Sequence, residues 1–222
     1  MGNSHPFQSW CYLLYTYVSE ALVSGSWLQC GPHVEFLLRI FQTLALLEVI
    51  HAVLGLVRSS PFTTAVQISS RLFVVWGVLY LLPEVKKQSI GVPLILIAWC
   101  LAEIIRYIFY ALNICNISSS PITWLRYSSF LLLYPIGITG ELVLMCGAVQ
   151  ALKGTDKYSF AMPNMLNCSF DYRLSILAIM ALYVPGKNTN ISNLTTSKSL
   201  GAPKLYMYML SQRRKVFKTK MQ

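Results

Sequence analysis

The sequence predicts an all-α protein, a polytopic membrane bundle of about six transmembrane helices within a single domain spanning residues 1–222. Three observations predict it. Hydrophobic residues make up 55% of the chain and charged residues only 12%, roughly half the charged share of a soluble domain. Apolar residues gather into five successive runs, each reaching the ~20 residues that a helix needs to cross hydrocarbon. Short polar segments separate the runs, such as EVKKQ at 84–88 and NICNISSSP at 113–121.

The first run, residues 10–30, is the weakest, because Glu20 and several serines interrupt it. Residues 36–57 form the second and enclose Arg39, Glu48 and His51. Residues 64–83 carry Gln67 and Arg71 and end at Pro83, and residues 90–112 carry Glu103 and Arg106. The fifth run, 124–151, contains RYSSFLLLYPIGITGELVLM at 126–145, with Arg126, Tyr134 and Glu141 inside it.

The end of the chain is irregular. Residues 174–185 are apolar but too short to cross alone. Residues 187–203 form a polar insertion whose Gly, Ser, Thr and Asn content reads as loop. Either the last helix is interrupted there or residues 204–210 return as a separate interfacial segment. Residues 211–222 form a basic tail, with Arg213, Arg214, Lys215, Lys218 and Lys220. Such a cluster beside an apolar segment reads as a cytosolic end near anionic lipid. Much of the net charge of +10 lies there, and in so apolar a chain it points to the membrane surface, not to nucleic acid.

Other function classes are excluded by residue type. The six cysteines show no CxxC pairing, so neither a zinc site nor a disulfide framework is expected. The stretch from His51 to Arg58 has the outline of a tyrosine phosphatase loop, but Ala52 stands where that chemistry needs a thiolate. His51 is expected as a buried or capping residue. No cleavable signal is expected at the N-terminus, which lacks a basic region, and Pro6 spoils a myristoylation pattern.

The polar residues inside the spans point to function. A charge at membrane depth costs several kcal/mol, so an intramembrane ionisable group is read first as functional. Glu48, Glu103 and Glu141 stand against Arg71, Arg106 and Arg126, three against three. Such groups point into a bundle and pair with one another. Glu103 and Arg106 are three apart and can pair locally, while Gln67 and Arg71, four apart, share a helix face. Polar groups spread over four helices imply a polar pocket at the bundle's centre. Tyr134 and Glu141, seven apart, fall on one face of a helix, about two turns from each other. Pro135 removes a backbone donor between them, and a kink is expected there. A phenol and a carboxyl on such a face suit acid–base chemistry, and packing around a kinked helix is the alternative.

Several long stretches then carry a resemblance: LLEVIHAVLGLVRSS (46–60), VQISSRLFVVWGVLYLLPEV (66–85), AEIIRYIFYAL (102–112), WLRYSSFLLLYPIGITGELVL (124–144), MPNMLNCSFDY (162–172), ALYVPG (181–186) and YMLSQRRK (208–215). In these the chain resembles the very-long-chain (3R)-3-hydroxyacyl-CoA dehydratases, once called protein tyrosine phosphatase-like proteins, and is most similar to plant Pasticcino-type members. The resemblance implies a six-helix protein of the endoplasmic reticulum membrane with a cytosolic C-terminus. It would remove water from (3R)-3-hydroxyacyl-CoA to give trans-2-enoyl-CoA, the third step of fatty-acid elongation, beside the condensing enzyme, ketoreductase and enoyl reductase. The family's YPxGxxxE pattern places the catalytic pair on Tyr134 and Glu141. Supporting or substrate-binding positions fall on Glu48, Gln67, Arg71, Arg106, Arg126 and Gly137.

No cofactor is implied, because the substrate carries its own coenzyme A, and no metal. Proton abstraction is assigned to Tyr134 and protonation of the leaving hydroxyl to Glu141, with the reverse left open. Lys218 and Lys220 match a KxKxx retrieval signal. Asn116, Asn167, Asn190 and Asn193 fit the N-x-S/T pattern. The short N-terminal region and the 187–203 insertion depart from the family, which leaves an inactive member scaffolding the elongation enzymes as the competing reading. A transporter would show repeated halves, and none is visible.

Overall fold

In a computed structural model, the described residues are 4–28, 30–55, 61–87, 89–117, 119–155, 157–160, 169–183, 207, 209–211 and 213. They are almost entirely helical. In chain order they form α1 (Ser4–Ser24), α2 (Pro32–Leu44), α3 (Leu46–Val53), α4 (Pro61–Leu72), a π-helical segment (Phe73–Tyr80), α5 (Pro83–Lys86), α6 (Gly91–Ile114), α7 (Ser120–Ser128), α8 (Phe130–Ala151) and α9 (Tyr172–Tyr183). The 187–203 insertion, Asn167, Asn190, Asn193 and most of the basic tail lie outside the described residues.

Three helical stretches are long and apolar enough to cross a membrane: Pro32–Val53, Gly91–Ile114 and Ser120–Ala151. Thr64–Tyr80 and Tyr172–Tyr183 are shorter apolar helices. The first run is shifted from its expected place, forming α1 over Ser4–Ser24 instead of 10–30. It ends there because Gly25 turns left-handed at φ +65°. Tyr17 then donates to the Trp27 carbonyl (2.6 Å), and Glu20 accepts the Gly31 N–H (3.1 Å), which ties the following loop back onto α1. Pro32 opens α2 at a position where its missing N–H leaves no bond unmade.

The centre of the bundle is the α6–α8 pair, against which α1 also packs. Close approach of the two backbones depends on glycine. A Cβ on Gly140 would stand 2.8 Å from Ile95 Cγ2 and 3.1 Å from the Gly91 carbonyl oxygen. One on Gly91 would stand 2.8 Å from the Gly140 oxygen. Small residues at such a crossing let helices approach within a membrane, where no hydrophobic force drives them together. Around it Ile95, Leu96, Cys100, Leu144, Met145 and Ala148 are completely buried. Outward, large apolar side chains such as Leu22, Val23, Val53, Ile114 and Leu132 are exposed, as lipid-facing surfaces require.

The helix carrying Tyr134 is interrupted at Ser129, between α7 and α8, and helical backbone continues through Pro135. The Ser129 carbonyl accepts from both Leu132 (3.1 Å) and Leu133 (2.9 Å), a local tightening that separates the two segments. In the third run, α4 widens into the π-helical segment just after Arg71. Tyr172 of α9 donates to the Gly77 carbonyl inside that segment at 2.6 Å, joining α9 to it.

Candidate acid–base centre

Tyr134, Gly137 and Glu141 follow one face of α8, since seven residues fall about 20° short of two full turns. Glu141 is buried at 6% exposure, and Tyr134 is half-buried. Across from them the Tyr183 hydroxyl, at the end of α9, donates to Glu141 Oε2 at 2.6 Å. The indole N–H of Trp99 on α6 faces the same carboxyl group. Tyr134 lies within electrostatic reach of both Glu141 and Tyr183. One carboxyl, a phenol and an indole therefore meet beside α8, with Tyr134 about two turns away on the same helix face.

A second set of polar groups adjoins the first. Arg71 Nη1 donates to Glu103 Oε1 at 2.8 Å, and its guanidinium lies over the Trp99 ring, 5.5 Å from the centroid. Glu103 also contacts Arg106 at 2.6 Å, the local pair expected from their spacing. Arg106 in turn grips both oxygens of Glu48, and the Tyr107 hydroxyl donates to that carboxylate at 3.2 Å. The result is a chain of ion pairs from α3 through α6 to α4, joined to Glu141 by Trp99.

The structure joins Glu48, Arg106 and Arg71 through Glu103, and it sets Tyr134, Gly137 and Glu141 along one face of α8. The expected three-against-three pairing is corrected. Glu103 serves two guanidiniums at once, so Glu141 is left to a phenol, and Arg126 forms no ion pair among the described residues. Arg126 stays in electrostatic reach of Glu103. Gln67 sits one turn before Arg71, as its spacing requires, but its side chain is exposed and makes no hydrogen bond among the described residues. His51 is neither buried nor a capping partner: it is exposed in the last turn of α3, while Ala52 beside it is buried. At Gly137 a Cβ would meet Ala98 and Trp99 at 3.7 Å, an ordinary contact, so this glycine is not required by crowding.

Sequence reasoning missed Trp99, Tyr107 and Tyr183. Tyr107 was detectable, as the neighbour of Arg106. Trp99 and Tyr183 resemble ordinary membrane aromatics, and only the packing of α6 and α9 against α8 shows where they point.

Fold and site together define an integral membrane helix bundle with ionisable side chains buried within it. The chain matches the family model described as "Protein tyrosine phosphatase-like protein, PTPLA" over residues 42–219, and it belongs to that family. It is 40% identical over 210 residues to the very-long-chain (3R)-3-hydroxyacyl-CoA dehydratase PASTICCINO 2 of Arabidopsis thaliana, covering 94% of this chain and 87% of that protein. It is 38% identical to the dehydratase hpo-8 of Caenorhabditis elegans, covering 93% and 88% of the two chains. With dehydratase 2 of Mus musculus it shares 37% identity, over 93% and 75%. No solved structure matches the chain.

Proposed function

We propose that this protein is a hydro-lyase that dehydrates very-long-chain (3R)-3-hydroxyacyl-CoA to trans-2-enoyl-CoA, the third step of fatty-acid elongation. The observation that carries the reading is a buried Glu141 carboxyl held by Tyr183 beside Tyr134, in a chain similar over nearly its whole length to named dehydratases.

Tyr134 and Glu141 form the acid–base pair. One member takes the proton from C2, and the electrons of that bond become the C2–C3 double bond. The C3–O bond breaks, and the hydroxyl leaves as water with the proton of the other member. A proton transfer between the two then restores both. The first role goes to Tyr134 and the second to Glu141. Seven residues of helix rise about 10.5 Å, so the two side chains reach the adjacent C2 and C3 atoms by leaning toward each other.

No cofactor enters this reaction. Arg126, with no ion pair among the described residues, is the arginine assigned to a coenzyme A phosphate, because a guanidinium matches phosphate oxygens. Arg71 and Arg106 are engaged by carboxylates and are assigned to shaping the site, together with Glu48, Gln67 and Gly137. The acyl chain lies between helices in contact with membrane lipid. We place the protein in the endoplasmic reticulum membrane with its C-terminus cytosolic. Its partners there are the condensing enzyme, ketoreductase and enoyl reductase of the same cycle.

The test is conversion of 3-hydroxyacyl-CoA by membranes containing the full chain. Tyr134→Phe and Glu141→Gln are each expected to lower kcat by about 10²- to 10⁴-fold, the usual contribution of a general acid or base. Near-normal turnover by either variant refutes the two-residue assignment, and inactivity of the well-inserted unsubstituted chain refutes the reaction.

A further inference from the structure

Tyr183 has no role in the reaction as described above, yet it makes a short hydrogen bond to the proposed acid–base pair. Its hydroxyl donates to Glu141 Oε2 at 2.6 Å across the α8–α9 contact. The phenol is half-buried, and the Ser70 hydroxyl of α4 lies beside it. Tyr183 therefore sits where α4, α8 and α9 meet, with its polar atom aimed at one oxygen of one carboxyl. A tyrosine serving only as lipid-facing bulk would turn its hydroxyl toward the membrane surface.

We infer that Tyr183 is the positioning residue for Glu141: it engages Oε2, fixes the plane of the carboxyl, and leaves Oε1 as the oxygen that exchanges a proton with the substrate. This rests on the dehydration reading. The restriction matters because a carboxyl on a flexible two-carbon stem has several orientations of similar energy. Alignment of a reacting group is worth a large factor in rate, and a misplacement of ~1 Å costs about a hundredfold. The helix-imposed separation of Tyr134 and Glu141 sharpens the need, because only one direction of the carboxyl brings it toward its partner. The bond holds whether Glu141 gives or takes the proton, since Oε1 serves in either case and Tyr183 stays on Oε2.

The experiment compares the unsubstituted chain with Tyr183→Phe in membranes, measuring kcat and KM for 3-hydroxyacyl-CoA dehydration and the pH dependence of kcat. Phenylalanine keeps the ring and its packing and removes only the donor. Positioning predicts a fall in kcat of about ten- to a hundredfold, KM changed by less than about twofold, and an altered pH profile for kcat. In a double-mutant cycle, adding Tyr183→Phe to Glu141→Gln changes the residual rate far less than it changes the unsubstituted rate. A Tyr183→Phe enzyme with unchanged kcat and pH profile overturns the role, as does a change confined to KM. If Tyr183→Phe fails to insert, Tyr183→His and Tyr183→Leu at matched abundance replace it. The ring N–H of histidine restores a donor, so positioning predicts higher kcat for histidine, and equal rates overturn it. An active unsubstituted chain with an unaffected Tyr183→Phe variant sinks only this inference. An inactive unsubstituted chain sinks the dehydratase assignment and this role with it.

Discussion

Replacing Glu103 by Gln removes one charge from the place where the bundle depends on it most. Its side chain is 7% exposed, and it lies 2.8 Å from Arg71 and 2.6 Å from Arg106. The Arg71 contact is an aligned hydrogen bond, whereas Oε2 meets Arg106 as an ion pair without that alignment. Glutamine keeps the volume, so no cavity forms and the change is electrostatic. Two guanidiniums on adjacent helices then share a site without a carboxylate between them. Removing one partner of a buried pair costs about 3–5 kcal/mol, because the remaining charge stays desolvated. At about 2–4 °C per kcal/mol for a chain of this size, the melting temperature falls by roughly 6–20 °C. Glu48→Gln is the internal control. It also contacts Arg106, but its side chain is 34% exposed. Glu103 still compensates Arg106 when Glu48 is gone, so no buried cation is left without a counter-charge and the loss is smaller. The assay is thermal unfolding of both purified variants in one detergent. If Glu48→Gln destabilises the protein as much as Glu103→Gln, the reasoning from burial and shared charge is wrong.

Two further outcomes follow from crowding and from thiol burial. Gly140→Ala places a methyl group 2.8 Å from Ile95 and 2.9 Å from Leu94, which costs about 1–3 kcal/mol of overpacking, while Gly137→Ala leaves the melting temperature unchanged. Among the cysteines, Cys115 is exposed, whereas burial and then the nearby Glu35 and Glu20 carboxylates push the Cys30 thiol up to about 12. The thiolate is the reactive form, so at pH 8 a maleimide labels Cys115 in the folded protein and reaches Cys30 only after unfolding, as read by mass spectrometry.

The apolar runs around 36–57, 90–112 and 124–151, the Glu103–Arg106 pair and the Tyr134–Glu141 face were legible because each depends on the residues of one stretch. What spacing cannot give is rotation of one helix against another. Arg71 reaches from α4 across to Glu103 on α6, which also serves Arg106, while Arg126 forms no ion pair among the described residues. Gln67 shares a face with Arg71, yet a shared face spans a wide arc and Gln67 lies at its outer edge. The break at Ser129 was also illegible. Proline carries a recognised helix-breaking signal, while Ser129 between two serine-adjacent turns carries none.

The two polar groups at the centre differ in what holds them, and the difference fits separate tasks. Glu48, Arg106, Glu103 and Arg71 compensate one another, and losing Glu103 leaves two guanidiniums short of a counter-charge. The chain links α3, α4 and α6, with Glu103 as the shared carboxylate at its middle. Glu141 stands apart from that chain, held by one phenol and facing one indole. A carboxyl locked between two guanidiniums would give up its charge only at great cost, and proton exchange needs the opposite. Trp99 makes the separation work: one face of its ring carries Arg71 and its N–H faces Glu141, so the cation stays near the reacting carboxyl without pairing with it. Under the proposed dehydration, this aromatic wedge keeps the acid–base residues of α8 and α9 apart from the charged chain.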